Sequence, residues 1–226
     1  KHKGIIANPN CSTIIMVMAL KPIYDLAKIK RVIVSTYQAV SGAGKEGIDE
    51  LDAQVREHSE GREMTANILP SSSAEKHYPI AFNLIPQIDV FCDNLYTKEE
   101  MKMVNETKKI MEDYEMRITA TTIRVPVYRS HSESVNIELE KEVDLGAMRE
   151  ALAKFPGVTV QDDPSKQEYP MPLYTSEKDD VYVGRLRRDE SCEKSYNMWV
   201  VGDQIRKGAA LNTLQIAETM IKNGWI

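Results

Sequence analysis

The stretch STIIMVMALKPIYDL, Ser12 to Leu26, is apolar on nearly all faces in its first half. A helix that is hydrophobic all round must be covered all round, so this run predicts a central helix with other elements packed about it. It is too short to cross a bilayer, which takes about 20 apolar residues. Pro22 removes a backbone donor inside the run and bends or interrupts the helix there. Directly ahead of it, after Asn8-Pro9-Asn10, stands Cys11. A cysteine used only for packing belongs inside such a run; this one sits at its polar lip.

The rest of the chain alternates unevenly between helical and strand periods. Lys30–Tyr37 is β-branched and short, a strand, and Ser41–Gly44 punctuates it. Ile48, Leu51 and Val55 recur at helical spacing up to Gly61. Residues 62–96 hold no sustained period and contain Pro70, Pro79 and Pro86, which predicts a long connection. Thr97-Lys-Glu-Glu100 is a capping box that opens a helix running to about Asp113. Strands are predicted at Arg117–Val127, Ser134–Glu140, Val158–Gln161, Val181–Arg188 and Tyr196–Gly202. Asp144 caps a helix that Pro156-Gly157 stops. A last helix covers Arg206–Lys222, with Ala210, Leu214, Ala217 and Ile221 on one stripe. Such a sequence of elements predicts an α+β fold: a mixed, largely antiparallel sheet with helices packed on one face. No G-x-G-x-x-G follows a strand, and SGAG alone is weak as a phosphate loop.

Composition narrows the function. A formal charge of −5 over 226 residues provides no basic footprint for nucleic acid. The N-terminus carries no secretory h-region and no stretch is long enough to span a membrane. Three scattered cysteines, Cys11, Cys92 and Cys192, make neither a disulfide framework nor a zinc site. The expectation is a reduced, cytoplasmic protein with no metal, no membrane and no nucleic-acid partner.

Helix N-termini favour thiolate, the nucleophilic form, so Cys11 ahead of Ser12 is a candidate nucleophile; the plain alternative is an inert thiol. Of four histidines, His2 lies near the terminus, His58 at the end of a charged helix and His77 in the long connection. His131 sits in RVPVYRSHSESV between two predicted strands, where it can serve acid–base chemistry near neutrality or simply face solvent. Arg124 has the planar fork that suits a carboxylate. Glu106 and Lys109 stand at i,i+3, which by itself describes an intrahelical ion pair. Gln38 ends a strand.

Together these residues carry a resemblance. NPNCST (Asn8–Thr13), STYQAVSGAG (Ser35–Gly44), FNLIPQIDVF (Phe82–Phe91), EEMKMVNETKKI (Glu99–Ile110), RVPVYRSHSESV (Arg124–Val135) and GAALNTLQIAE (Gly208–Glu218) closely resemble the catalytic and dimerisation half of the aspartate-β-semialdehyde dehydrogenases, in family order. The related glyceraldehyde-phosphate dehydrogenases carry a Ser-Cys-Thr-Thr box that this chain lacks. The resemblance implies reduction of L-aspartyl 4-phosphate by NADPH, on the route to lysine, methionine and threonine. Cys11 is then the nucleophile that forms a thioester, His131 the acid–base catalyst and Gln38 an orienting residue. Arg124 matches the grip on the substrate α-carboxylate, Glu106 the partner of its ammonium, and Asn10 and Lys109 the phosphate positions. Ser41, Gly42 and Asn212 match cofactor-contacting positions.

The family opens with a Rossmann domain whose Gly-rich turn has no counterpart here. The expectation is therefore a catalytic and dimerisation domain over 1–205. The helix 206–226 packs on an absent NADP-binding domain, and isolated turnover is negligible. The family also implies a homodimer, with a homotetramer as the larger alternative. Two other readings compete: a non-catalytic dimerisation module, and a cysteine hydrolase built on Cys11 and His131 alone.

Overall fold

A computed structural model describes residues 4–225, which leaves His2 outside the described residues. Six strands form one sheet in the order β2-β1-β3-β6-β5-β4. They are β1 (Ile29–Gln38), β2 (Arg117–Arg124), β3 (His131–Leu139), β4 (Val158–Val160), β5 (Val181–Arg188) and β6 (Ser195–Gly202). The pairs β1/β2 and β4/β5 are parallel, and β1/β3, β3/β6 and β5/β6 antiparallel. The fold is α+β with a mixed, largely antiparallel sheet, as expected.

The all-apolar run becomes α1 (Cys11–Leu26), with Pro22 inside it. Ile15, Met16, Leu20 and Ile23 keep no exposed surface. Burying each such side chain stabilises by about 1.5–3 kcal/mol. Beneath α1 lie Val32 and Val34 of β1, Val135 and Ile137 of β3, and Met198 and Val200 of β6, all in one cluster. Alternation along each strand sends these residues to the same face. Helices α3 (Lys98–Met111) and α4 (Leu145–Lys154) flank α1 there. On the opposite face Tyr37 and Trp199 pack with ring centroids 5.5 Å apart.

Helix α2 (Lys45–Ser59) and the long connection build a smaller cluster from Val40, Leu51, Leu69, Ile80 and Ile85. The connection is held through its backbone. Glu50 accepts from the amides of Asn67, Ile68 and Leu69, and Gln54 Oε1 from those of Ile80 and Ala81. A segment without period thus becomes ordered because two side chains of α2 satisfy its donors.

Three boundaries depart from expectation. Strand β3 begins at His131, not Ser134, so the histidine heads a strand; its register partner on β6 is Gly202. Strand β2 stops at Arg124, short of Val127, since Pro126 has no amide to donate. The last helix opens with a π-helical turn, Arg206–Ala210, before α6 (Leu211–Lys222). A four-residue helix, α5 (Pro172–Thr175), was not foreseen. Helix α6 has no buried residue, and Leu214 and Ile221 of its apolar stripe stand open.

Candidate active site

Cys11 is the first residue of α1. Asn10 caps that helix by accepting from the Thr13 amide at 3.0 Å. Free N–H groups at a capped N-terminus face whatever lies ahead of it, here the sulfur. The C-terminal end of β1, the last residue of β2 and the first of β3 come together at the same edge, which delivers Gln38, Arg124 and His131. His131 Nε2 lies 3.5 Å from Cys11 Sγ. Gly208 of the π-turn closes over the cysteine, and a Cβ there would stand 2.9 Å from Cys11 Cβ.

The ring of His131 is fixed from behind. The Ala39 amide donates to Nδ1 at 3.0 Å, so the single proton of the neutral ring sits on Nε2, toward the sulfur. Burial, with Arg124 nearby, holds its pKa well below the usual histidine value. His131 is therefore a neutral N–H donor at physiological pH. The near-neutral titration expected from sequence is corrected: the residue lies inside the sheet edge, not in a solvated junction.

Cys11 also departs from expectation. The Ser12 amide and Arg124 lower its pKa, but burial and the Glu99 charge outweigh them and push the thiol up to about 12. The helix end alone does not make a thiolate here. In the resting site, thiol and imidazole are both neutral.

Arg124 is buried, with its pKa lowered to about 10 by desolvation against the pull of Glu99 and Cys11, so it stays charged at neutral pH. Its Nη1 donates to Ala39 O at 2.8 Å and Nη2 to Pro70 O at 3.4 Å, and Nε has no partner among the described residues. Neutral carbonyls hold the fork without cancelling its charge, which leaves it available to an anion. Gly42 lies over this group: a Cβ would fall 2.7 Å from Arg124 Nη1 and 3.3 Å from His131 Cε1.

The acidic group of the site is Glu99, which the sequence did not single out. It is 6% exposed. Its Oε1 accepts from Asn10 Nδ2 at 2.8 Å and Gln38 Nε2 at 3.3 Å, and its Oε2 lies 3.4 Å from Lys102 Nζ. Gln38 also donates to Thr36 Oγ1 at 3.3 Å. Glu106 has a different neighbour, the Asn10 backbone amide, which donates to it at 2.7 Å. Lys109 stands exposed on the helix. Glu99 and Lys102 repeat the spacing of Glu106 and Lys109 two helical turns earlier on the same stripe, and both carboxylates meet Asn10, Glu106 at its backbone amide and Glu99 at its side chain and also at Gln38.

Ser41 accepts from Gln204 Nε2 through its hydroxyl, which ties the SGAG turn to the end of β6. Asn212 Oδ1 accepts from Lys207 Nζ at 3.1 Å, and its Nδ2 donates to Asn8 Oδ1 at 2.8 Å. A second unforeseen residue is Glu133, two positions from His131, fully buried with both oxygens unpartnered among the described residues.

A thiol faced by an imidazole, with a buried cation and anion at fixed places around it, defines a site for sulfur-based chemistry on a small charged ligand. Residues 20–207 match the family model "Semialdehyde dehydrogenase, dimerisation domain". The chain belongs to this family. It is 54% identical over 226 residues to an aspartate-semialdehyde dehydrogenase of Aquifex aeolicus, covering 100% of this chain and 65% of that relative. Among solved structures it resembles aspartate semialdehyde dehydrogenase II of Vibrio cholerae complexed with ASA. There the TM-score is 0.89 at 46% identity, over 96% of this chain and 62% of the other. It also resembles the Candida albicans enzyme with NADP, with a TM-score of 0.70 at 25% identity over 98% and 59%. The chain thus spans under two thirds of the length of the relatives it matches. Cys11 and Gly208 lie outside the matched range, His131 and Arg124 within it.

Proposed function

We propose that this chain is the catalytic and dimerisation portion of an NADP-dependent aspartate-semialdehyde dehydrogenase. The observation that carries the reading is the 3.5 Å approach of His131 Nε2 to Cys11 Sγ inside a ring of Arg124, Glu99 and Gln38. The thiol sulfur attacks the acyl carbon of L-aspartyl 4-phosphate. The acyl–oxygen bond breaks, and the thiol proton leaves with the departing hydrogen phosphate, so a thioester forms on Cys11 without an external base. Arg124 receives the substrate α-carboxylate, and Glu99, with Gln38 steadying it, receives the α-ammonium. Asn10 and Lys102 stand at the phosphate end.

NADPH, when bound, supplies the hydride that reduces the thioester. From this chain, Gly42 lets the turn pack closely against Arg124 and His131 where a Cβ would clash, Ser41 fixes that turn and Asn212 presents an oriented amide, and these would line the cofactor ring at this edge. His131 Nε2–H donates a hydrogen bond to the oxygen that develops charge on the tetrahedral carbon and keeps its proton. The carbonyl re-forms as the carbon–sulfur bond breaks, the aldehyde leaves, and the expelled Cys11 sulfur takes a proton from solvent to return to the thiol.

The exposed stripe of α6 accepts a nucleotide-binding domain supplied by further chain. The half-open sheet face carrying Tyr37 and Trp199 pairs two copies into a homodimer. A reduced compartment such as the cytoplasm suits a free-thiol nucleophile.

The test is NADP reduction by aspartate semialdehyde, with the nucleotide-binding portion supplied. Reduction that requires phosphate and disappears in Cys11→Ser is expected. Phosphate-independent turnover, or an active Cys11→Ser, contradicts the reading.

A further inference from the structure

The nucleophile is approached by the least supported stretch of the site. Residues 5–10 lie in neither helix nor strand, and Ile5 is 89% exposed. A cysteine at the first position of a helix inherits the direction in which the chain enters that helix. In a capping box the entry is fixed twice: the N-cap side chain bonds the N3 amide, and the N3 side chain reaches back to the N-cap amide. Helix α1 has only the first half of this device. Its N3 residue is Thr13, whose amide and hydroxyl both lie on Asn10 Oδ1, at 3.0 and 3.3 Å.

The second half comes from another helix. Glu106 Oε2 accepts from the Asn10 backbone amide at 2.7 Å, the short distance of a charge-assisted bond. Lys109, three residues on, stands exposed, so the carboxylate is turned across to α1 and not along its own helix. Around Glu106 the helix is firmly seated, with Met103 and Thr107 fully buried. The other polar groups of Asn10 are engaged too: Nδ2 on Glu99, and the carbonyl by the Ile14 amide at 2.9 Å. The peptide joining Asn10 to Cys11 therefore cannot turn without breaking a bond to α3 or to α1.

We propose that Glu106 is a positioning residue: it holds the entry of α1, and with it Cys11 Sγ, in register with His131, and it does not meet the substrate. This rests on the reading of Cys11 as the acylated nucleophile. What Glu106 contributes is an acceptor at a fixed place, which a neutral amide of the same length also provides. Without it, the Asn10 side chain keeps its bonds to Thr13 and Glu99, while the 3.5 Å approach of sulfur to Nε2 loses its backbone anchor. Rate falls and affinity does not, because the groups that receive the ligand stand on other residues.

The test is single-turnover acylation of Cys11 in the 226-residue chain, followed by mass against aspartyl phosphate concentration. Glu106→Ala is expected to lower the limiting rate about tenfold and leave the half-saturating concentration unchanged. Glu106→Gln keeps the acceptor and retains the wild-type rate. Glu106→Asp keeps the charge but withdraws it by one methylene; it behaves like the alanine variant and replaces it if that variant does not fold. A raised half-saturating concentration in Glu106→Gln marks a substrate contact and overturns the proposal. So does a wild-type limiting rate in Glu106→Ala and Glu106→Asp, even with a lowered urea midpoint, since that describes a merely structural bond. Hydrogen exchange at the Asn10 amide reads the clamp without substrate: slow in wild type and Glu106→Gln, fast in Glu106→Ala. Equal exchange in all three overturns the clamp. If that exchange pattern holds while aspartyl phosphate leaves wild-type Cys11 unmodified, the substrate reading fails and the clamp stands.

Discussion

The helix-facing side of the sheet has two ends built from the same strands. At one end β1 contributes Val32 and Val34, β2 Ala120 and β3 Val135, Ile137 and Leu139, all buried against α1 and its neighbours. At the other end the same face carries Thr36 and Gln38, Thr122 and Arg124, and His131 and Glu133, buried to the same degree. Backbone, alternation and packing helices are shared; only the side chains change. The apolar end gains stability from every group removed from water. The polar end bears a desolvation cost for each, some of it offset by hydrogen bonds and some left standing at Arg124 Nε and both oxygens of Glu133. The contrast teaches that depth alone does not make a core: within one face, burial builds stability over one stretch and holds charges at unfavourable energies over the next, where chemistry can use them.

The sharpest way to break this comparison is to change one residue from each end. Cys11→Ser is expected to abolish acyl transfer while shifting urea unfolding by no more than about 0.5 kcal/mol. Ile137→Ala, in the apolar end and fully buried, is expected to cost about 2–5 kcal/mol in the same unfolding assay through lost contact and a residual cavity. Thr97→Ala removes the side chain that accepts the Glu100 amide. A loss of about 1 kcal/mol is expected, with slower Cys11 acylation as the first turn of α3, which carries Glu99, frays.

Glu133 sharpens the comparison through pH. Burial raises its pKa well above the ordinary carboxyl value, so from about pH 4.3 upward the unfolded chain releases a proton that the folded one retains. Its contribution to stability is complete below that pH and is lost as pH rises toward the folded pKa. Glu133→Gln should therefore flatten the fall of stability with pH measured by urea unfolding between pH 5 and 8. His131 acts in the opposite direction. With its pKa depressed, the unfolded chain takes up a proton below about pH 6.5 that the folded one refuses, so acidification destabilises. The smallest effect belongs to the surface. Lys154 and Glu150 form an exposed i,i+4 pair, and Lys154→Ala should leave the urea unfolding midpoint unchanged.

Much of the architecture was legible in the sequence because the signals are local. The run after Cys11, the Thr97 box, the Asp144 cap and the β-branched strands each report on neighbours within one or two turns. Strand ends at the site were less so. The sheet continues to His131 because β6 reaches Gly202 opposite it, a pairing across 71 residues that no local pattern announces.

That Glu99, and not Glu106, meets Gln38 has a similar origin. Seven residues are two helical turns, so Glu99-x-x-Lys102 and Glu106-x-x-Lys109 occupy one stripe and periodicity cannot choose between them. The adjacent Glu100 hides Glu99 further, since it is spent on the Thr97 and Thr122 amides. Only the distance of each pair from the strand ends decides, and that distance is tertiary. The protonation states were illegible for the same reason. A helix terminus suggested a thiolate at Cys11, whereas burial and a carboxylate 88 residues away determine the opposite.

Everything about the polar end turns on whether Cys11 forms a covalent acyl intermediate. Treating the chain with aspartyl phosphate in the absence of any dinucleotide and mapping the product by mass tests this without the hydride step. A single thioester on Cys11, released by hydroxylamine and absent in Cys11→Ser, is the expected result. An unmodified Cys11, or an acyl group distributed over Cys92 and Cys192 instead, would contradict it.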